Sequence, residues 1–546
     1  MKIIKFLKPY ISKHKAETGA FILLSLALWA LSIISPFIVG SYIDNLITAM
    51  GAEVIYQAVI TLAIIWTLQL VFTYIRNILG AKLNSLISFE VQFGIIEHLK
   101  RLPIRYFSDK DSAYINQRVS SDSGNVTGFV LGSVIGLFST GLTFSFALGI
   151  MFYLNFRMSL MISVIFPVYI FIYLRFRQPL YELGYKLAEE SDGFFARINR
   201  QLFNIRLIKQ NAWGEYSGAE LKSGFASLFQ TVMKNARLSY VFNNADALVK
   251  YMANMIIFIY SGFQIMAGEM TIGQFTMINS YSLMVISSLS VFLGFGRSYR
   301  NSLVAYDRIQ EIYGTQQEDN GTVCIDSVDE IVIRDLNFYY GERHVIKKLN
   351  VRFEKGKIYV VAGENGSGKS TLLNIISGMV LDYFGEVSYN GINLRELNIY
   401  HLREKCLAIV EQEPVLYFDT LRENITFGTD KGQAVDYWIK KLDLHELISS
   451  LPNNIDYKVS ENTTNLSGGE KQRLAEVRAF VKDSDVIMMD EPNSALDRWS
   501  LELLCEVLLE IKSDKIIIIV THSQTMIDVC DEIVNLEAIL HERLNI

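Results

Sequence analysis

The chain changes character partway along. From residue 16 to about residue 300 it is dominated by long apolar runs, whereas from residue 325 onward apolar residues come in short bursts between polar turns. Six runs stand out, near residues 18–41, 55–80, 126–153, 158–175, 247–268 and 272–296. None alternates as a half-buried strand would, so each predicts a helix. At 1.5 Å per residue, each is long enough to cross roughly 30 Å of hydrocarbon, the fourth only nearly so.

The polar stretches between the runs fix an orientation. Lys2, Lys5, Lys8, Lys13 and Lys15 precede the first run, and Ser41 to Tyr56 has no Lys or Arg. Residues 81–125 carry Lys82, Lys100, Arg101, Arg105, Lys110 and Arg118. The link at 154–157 has only Arg157, residues 176–246 are again rich in Lys and Arg, and Gly268 to Thr271 has none. Basic residues collect on the cytoplasmic side of a membrane. The pattern therefore predicts both termini inside, three short outer links and two long inner loops. Those loops contain few helix breakers, so the second to fifth helices should run on past the bilayer. Polar tips are expected at Ser108–Ser112 and Glu189–Phe203.

No Asp, Glu, Lys or Arg falls in the middle of a predicted span. Ionisable residues there usually mark ion or proton pathways, so an ion-coupled carrier is disfavoured, as is a small, strongly charged cargo. The spans offer Phe144, Phe146, Tyr260, Phe275, Asn279 and Tyr281 instead. Half of the 546 residues are hydrophobic and the net charge is −6, which argues against a nucleic-acid partner. Cys324, Cys406, Cys505 and Cys530 fit no metal spacing and read as inert thiols.

Residues 314–328 are polar and rich in breakers, and predict a linker between a membrane domain at 1–313 and a second domain at 329–546. In the second domain the apolar run Ile358–Ala362 reads as a buried strand. It is followed by Gly363, Glu364, Asn365, Gly366, Ser367, Gly368, Lys369 and Ser370, and then by helix-forming sequence from Thr371. Strand, glycine-rich loop and helix opening on Lys-Ser make a phosphate-binding loop. Glycines let several N–H groups converge on one anion, and the helix N-terminus adds donors and positive potential. Lys369 would reach the β- and γ-phosphates, and the Ser370 hydroxyl would sit on Mg²⁺. Tyr340, ahead of the loop, is placed to stack on an adenine face.

Downstream, Leu407–Val410 reads as a strand running into a polar elbow at Glu411–Pro414. Ser467, Gly468 and Gly469 open a helix and form a second anion nest. Val486–Met489 is a strand ending in paired carboxylates. Asp490 is suited to hold Mg²⁺ through its water shell, and Glu491 to orient or deprotonate an attacking water. The β-branched run Ile516–Val520 reads as a central parallel strand and leads to His522, placed to hydrogen-bond a γ-phosphate.

In this order the residues resemble the ABC transporters, specifically exporter-type half-transporters. The resemblance makes Gly363–Thr371 the Walker A motif, Gln412 the Q-loop glutamine, Leu466–Glu470 the signature, Val486–Asp490 Walker B, Ser494–Asp497 the D-loop and His522 the switch histidine. It implies a six-helix, all-α transmembrane domain with long cytoplasmic extensions, followed by an α/β P-loop ATPase domain. It implies ATP and Mg²⁺ as ligands. It implies catalytic roles for Glu491, His522, Lys369 and Gln412, and metal contacts from Ser370, Gln412 and Asp490. It also puts Ser467, Gly468, Gly469 and Asp497 against the nucleotide of a second subunit, because two such domains pair head to tail. A homodimer is then sufficient, and a heterodimer is not required. In the membrane half, Ser35-Pro36, Gly40 and Asp44 look like the family's first-span exit, Arg101-Leu102-Pro103 like its first coupling segment, and Thr271–Phe275 like the opening of its sixth span.

Four features depart from the family pattern. The signature ends in Glu470 where glutamine is usual, Ser460–Asn465 lacks the usual glycine-bearing acidic motif, a common glycine is missing near Ala113-Tyr114, and the chain ends soon after His522. The resulting expectation is an ATP-driven exporter in a plasma or inner membrane, moving an amphipathic cargo. A bacteriocin-like peptide is the first choice, because Glu364-Asn365 and Asp490-Glu491-Pro492 resemble the peptide exporters of the family. A multidrug or lipid exporter or flippase is the alternative, and an ATP-gated channel or nucleotide-sensing regulator the remote one.

Overall fold

A computed structural model describes residues 2–47, 52–108, 110, 112–417, 419–427, 432–459 and 466–536. The segment Ser460–Asn465 and the C-terminal end therefore lie outside the described residues. The chain divides into two units. One comprises Met1–Lys100 and Asp111–Thr315; the other comprises residues from Gln316 onward together with Arg101–Lys110.

The first unit is all helix. Among the described residues, six helices are long and apolar enough to cross a membrane: Lys15–Ile47, Ile55–Leu99, Ile115–Leu154, Phe156–Phe203, Gly214–Met266 and Ile272–Tyr313. The fifth, at 53 residues, is about 80 Å long, far more than a bilayer needs. The apolar run sets where each helix meets lipid, and helix-compatible polar sequence then carries it onward. The sixth helix also continues to Tyr313, an extension the sequence pattern had not predicted.

The second inner tip lies later than expected. Glu189–Phe203 is the last part of the fourth helix, and the chain reverses only through the short helix Ile205–Gln210 that follows. Ser191, Asp192, Gly193 and Asn199 weaken helix propensity here without ending the helix, which runs on to Phe203.

Two sets of contacts organise the ends predicted to face outward. A Cβ on Gly273 would lie 2.1 Å from the Gly40 carbonyl oxygen and 2.4 Å from Asp44 Cγ, so the first and sixth helices meet where neither carries a side chain. Asp44 Oδ1 accepts from the Gly273 N–H at 2.7 Å, and Asp44 Oδ2 accepts from the Thr271 hydroxyl at 2.7 Å. Thr271 and Gln274 close a capping box at the start of the sixth helix. One carboxylate thus satisfies donors that the helix itself leaves open. On the other outer link, Asn155 caps the next helical turn at Met158 N, 3.0 Å away, and donates to Gln264 Oε1 at 2.7 Å.

Of the aromatic and polar residues noted in the spans, Tyr281 is fully buried and donates to the Ile33 carbonyl at 2.8 Å. Phe275 packs on Phe258, and Phe144 packs on Phe166 and Phe292. These are packing positions within the unit.

The second unit holds two sheets. Strands β1 (Glu330–Tyr340), β2 (Arg343–Glu354), β4 (Phe384–Tyr389) and β5 (Ile392–Asn393) form an antiparallel sheet in the order β2-β1-β4-β5. Strands β3 (Lys357–Ala362), β6 (Leu407–Val410), β7 (Val486–Asp490), β8 (Ile516–Val520) and β9 (Glu532–Asn535) form a parallel sheet in the order β6-β7-β8-β3-β9. Every residue of β8 is buried, as expected of a central parallel strand covered on both faces. Arg101–Lys110, with its short helix Ile104–Ser108, belongs to this unit, and the Arg101 carbonyl accepts from the Glu318 N–H at 2.8 Å. Cys406 and Cys505 are buried free thiols whose pKa values burial pushes up to about 11, which suits inert packing.

One buried acid is out of keeping with this core. The helix Gly468–Lys482 packs inward with Leu474, Ala475 and Val477, but also with Gln472 and Glu476, both fully buried. Among the described residues neither carboxylate oxygen of Glu476 has a hydrogen-bond partner, and burial pushes its pKa well above the ordinary range, against a smaller opposite pull from Arg473.

Two outcomes follow from this packing. Replacing Asp44 by Ala leaves the Thr271 hydroxyl and the Gly273 N–H without their acceptor. It should cost about 1–3 kcal/mol, read as an earlier thermal transition of the full chain in detergent micelles. Glu476→Gln tests the buried acid. A carboxyl whose pKa rises on folding holds more protons folded than unfolded between the two values. Its stability contribution is thus full below the ordinary carboxylate pKa and is lost as pH climbs through the window above it. The glutamine variant should melt later than the parent at pH 8, and the difference should close as pH falls toward the ordinary glutamate range.

Candidate functional site

The parallel sheet delivers several loops to one place. The inner residues of β3 are buried, and the strand ends at Ala362, where the glycine-rich turn begins. Gly366 and Gly368 take φ values of +82° and +99°, a region closed to most residues with a Cβ. At Gly368 space is closed as well, since a Cβ would lie 2.7 Å from Val345 Cγ1. Gly368 then caps the helix Lys369–Ile376, with the Leu372 N–H on its carbonyl at 2.8 Å.

Lys369 is 7% exposed. Its ammonium donates to the Gly363 carbonyl at 2.6 Å and the Glu364 carbonyl at 3.1 Å, and lies 3.0 Å from His522 Nε2. An ammonium can only donate, so Nε2 accepts, and a neutral His522 carries its proton on Nδ1. Among the described residues Ser367 Oγ is buried without a hydrogen-bond partner and packs against Gly363, where a Cβ would lie 2.6 Å from it.

The acidic side comes from β7. Asp490 ends the strand and is hydrogen-bonded with the Ser370 hydroxyl. Burial raises its pKa, the Ser370 bond and Lys369 oppose that rise, and Glu491 adds to it. Glu491 sits at φ +45°, an uncommon conformation for a side-chain-bearing residue. Its N–H donates to the Val520 carbonyl at 2.8 Å, and its Oε2 accepts from Gln412 Nε2 at 3.1 Å. The Thr521 hydroxyl donates to Asn493 Oδ1 at 2.6 Å, tying the loop after β7 to the loop after β8.

A cleft of about 470 Å³ is lined by Tyr340, Asn365, Gly366, Gly368, Lys369, Ser370, Thr371, Gln412, Asp490 and Glu491. Tyr340 is 54% exposed and braced edge-on by Phe338 at 4.8 Å. The oxygen-rich, anion-cradling lining fits a triphosphate with a hard divalent cation between Ser370 and Asp490.

Ser467, Gly468, Gly469 and Asp497 do not line this cleft. They sit next to one another instead, since a Cβ on Gly469 would lie 2.6 Å from the Ala495 carbonyl. Asp497 caps the helix Arg498–Ile511 through Ser500 N at 2.8 Å, and hydrogen bonds from the Ser500 hydroxyl and then from its N–H hold the Asp497 carboxyl below the ordinary range.

Two features were missed from sequence. Arg343 opens β2, lines the cleft and donates to the Gly366 carbonyl at 3.3 Å. An Arg three residues beyond the aromatic Tyr340 was the available signal. In the membrane unit, Asp246 and Lys250 pair at 2.8 Å, with Lys250 inside the predicted fifth span near its inner end. The Tyr169 hydroxyl, on the fourth helix, donates to Asp246 and lies 2.6 Å from the Ser290 hydroxyl on the sixth. The charges fall at the edge of the apolar run and their partners on other helices, so no local pattern announced them.

Comparison with known proteins gives one consistent answer. Residues 18–289 match the family model described as the ABC transporter transmembrane region, and residues 346–494 match the one described as ABC transporter. A Staphylococcus aureus protein named "Putative multidrug export ATP-binding/permease protein" is 25% identical over 556 residues, covering 98% of this chain and 94% of that one. The ATP-dependent lipid A-core flippase of Haemophilus influenzae is 25% identical over 474 residues, covering 85% and 80%. A solved bacterial Atm1-family ABC exporter with ATP bound superposes with a TM-score of 0.82 at 20% identity, over 95% of this chain and 93% of that one.

Arg343 offers a direct test of the cleft. Removing its partly exposed cation in Arg343→Ala should weaken MgATP binding roughly three- to tenfold, measured by titration of the purified chain.

Proposed function

Because this chain belongs to the ABC transporter family, as an exporter whose membrane region is fused to one ATPase domain, we propose that two copies assemble into a working transporter with two composite ATP sites. The chain is a multi-pass membrane protein that binds and hydrolyses ATP. The observation that carries the finer reading is the set of contacts at the ends of β3, β7 and β8: Lys369 on the loop carbonyls and His522, Gln412 on Glu491, and Ser370 on Asp490.

In this reading the loop Gly363–Ser370 holds the phosphates, and Lys369 shifts its donors from loop carbonyls to phosphate oxygens. Tyr340 stacks on the base and Thr371 supports the loop. Ser370 and Asp490, with Gln412 beside them, would hold Mg²⁺, which supplies charge neutralisation to the phosphates when bound. Glu491 takes the proton of the attacking water, and His522 steadies the γ-phosphate. A second copy presents Ser467, Gly468, Gly469 and Asp497 across the nucleotide, so closure requires both copies. The basic inner loops and neutral outer links support a cytoplasmic ATPase domain.

The cargo we propose is amphipathic. The relatives' names speak of multidrug export and of lipid A-core, and these readings come to this chain with the same standing as a peptide. The Asp246–Lys250 pair with Tyr169 and Ser290 provides polar contacts beside the apolar and aromatic residues of the spans, which suits a cargo with a polar head and an apolar body. An ion-coupled carrier has no comparable support.

Glu491→Gln should reduce ATP turnover by at least about 100-fold while ATP still binds, measured by phosphate release and nucleotide retention. Vesicles containing the parent chain should show ATP-driven movement of a fluorescent phospholipid, an apolar cationic dye or an amphipathic peptide. Turnover without movement of any of these would count against export.

A further inference from the structure

We infer that Glu470 acts as a built-in negative charge that weakens the grip of the chain's Ser467-Gly468-Gly469 cradle on a nucleotide phosphate. The inference deepens the proposed function and rests on its reading of that cradle as the half-site offered to a second copy.

The geometry is specific. The Ser467 N–H donates to Glu470 Oε2 at 2.6 Å, and Ser467 Oγ accepts from the Glu470 N–H at 3.2 Å. This reciprocal cap opens the 15-residue helix Gly468–Lys482. A helix N-terminus favours anions because its first N–H groups lack partners and its dipole is positive there. Glu470 meets that preference from within the chain. Its carboxylate takes the Ser467 N–H, one of the donors that an incoming phosphate would use, while the Ser467 hydroxyl, which accepts from the Glu470 N–H, keeps its own proton to donate.

The charge is neither neutralised nor free to leave. Among the described residues, no ion pair involves Glu470. Arg473, one turn along, directs its guanidinium to the Asp443 carbonyl at 3.4 Å, and its electrostatic partners are Glu476 and Asp497. The backbone of the cradle has little room to retreat, because Gly469 lies against the Ala495 carbonyl. A phosphate approaching Ser467 therefore meets a carboxylate one turn away, and like charges repel most where water is excluded as two surfaces close.

A glutamine at this position could accept the same backbone bond while carrying no charge, so Glu470→Gln separates charge from capping. The experiment compares the full-length parent, Glu470→Gln and Glu470→Ala in nanodiscs, reading thermal transitions and steady-state ATPase at several salt concentrations. Glu470→Gln should melt with the parent and reach half-maximal ATPase at roughly three- to tenfold lower MgATP, with kcat changed less than about twofold. Raising ionic strength from about 20 mM to about 500 mM, which shortens the screening length from roughly 20 Å to about 4 Å, should narrow that gap. Glu470→Ala should melt earlier, having lost the cap.

Equal half-saturation of parent and Glu470→Gln at low salt overturns the inference. So does a gap that salt leaves unchanged, which would assign Glu470 a purely structural role. If the parent shows no ATPase sensitive to Glu491→Gln, the underlying functional reading fails, and the inference falls with it.

Discussion

The hydrogen-bonded register of three parallel strands is the constraint on which the rest of the ATPase unit depends. β8 lies between β3 and β7, with Val361 and Asp490 both opposite Val520. That ladder brings the start of the phosphate loop, the paired acids and the His522 turn to one level at the carboxyl ends of the strands, where α/β sheets place their ligands. The contacts between the loops that follow these strands are a consequence. Lys369 meets His522, and the Glu491 N–H meets the Val520 carbonyl, because neighbouring strands end together. A one-residue slip of β8 would also turn its side chains to the opposite faces of a sheet buried on both.

The membrane unit follows a different logic. Lipid offers no hydrophobic drive for one apolar helix to bind another, so close approach and polar contacts decide which helices stay together. The meeting of Gly40 with Gly273, sealed by Asp44, is one such decision. The Asp246, Lys250, Tyr169 and Ser290 cluster, which joins the fourth, fifth and sixth helices, is another. Both rest on polar contacts between helices far apart in sequence.

How much of this was legible in sequence depends on whether the signal was local. The six apolar runs, the β-branched strand Ile516–Val520 and the glycine loop each carry their information within a few neighbours. The long helices, the central strand and the residues gathered round Lys369 could therefore be read in advance. β2 could not. Its pairing with β1 is broken by register shifts near Leu336 and Phe338, and Lys348 takes a positive φ, so no clean alternation survives. Arg343 was hidden with it. The second inner tip was misplaced because the polar run with Ser191, Asp192 and Gly193 suggested a turn, whereas the helix continues through it. The Asp44 bridge and the Asp246 cluster join residues far apart in sequence, and neither half carries a signal without the other.

Glu491 illustrates how a site can run against its own fold. It occupies a left-handed backbone conformation that glycine adopts freely and glutamate does not. A glycine there would relieve strain on the order of 1 kcal/mol while deleting the carboxylate. Any selection or screen that rewards only thermal robustness would therefore drift toward losing the carboxylate proposed as the catalytic base. Proteins optimised for shelf life from this chain would need turnover as a second criterion, since the loop's discomfort and its usefulness reside in the same residue.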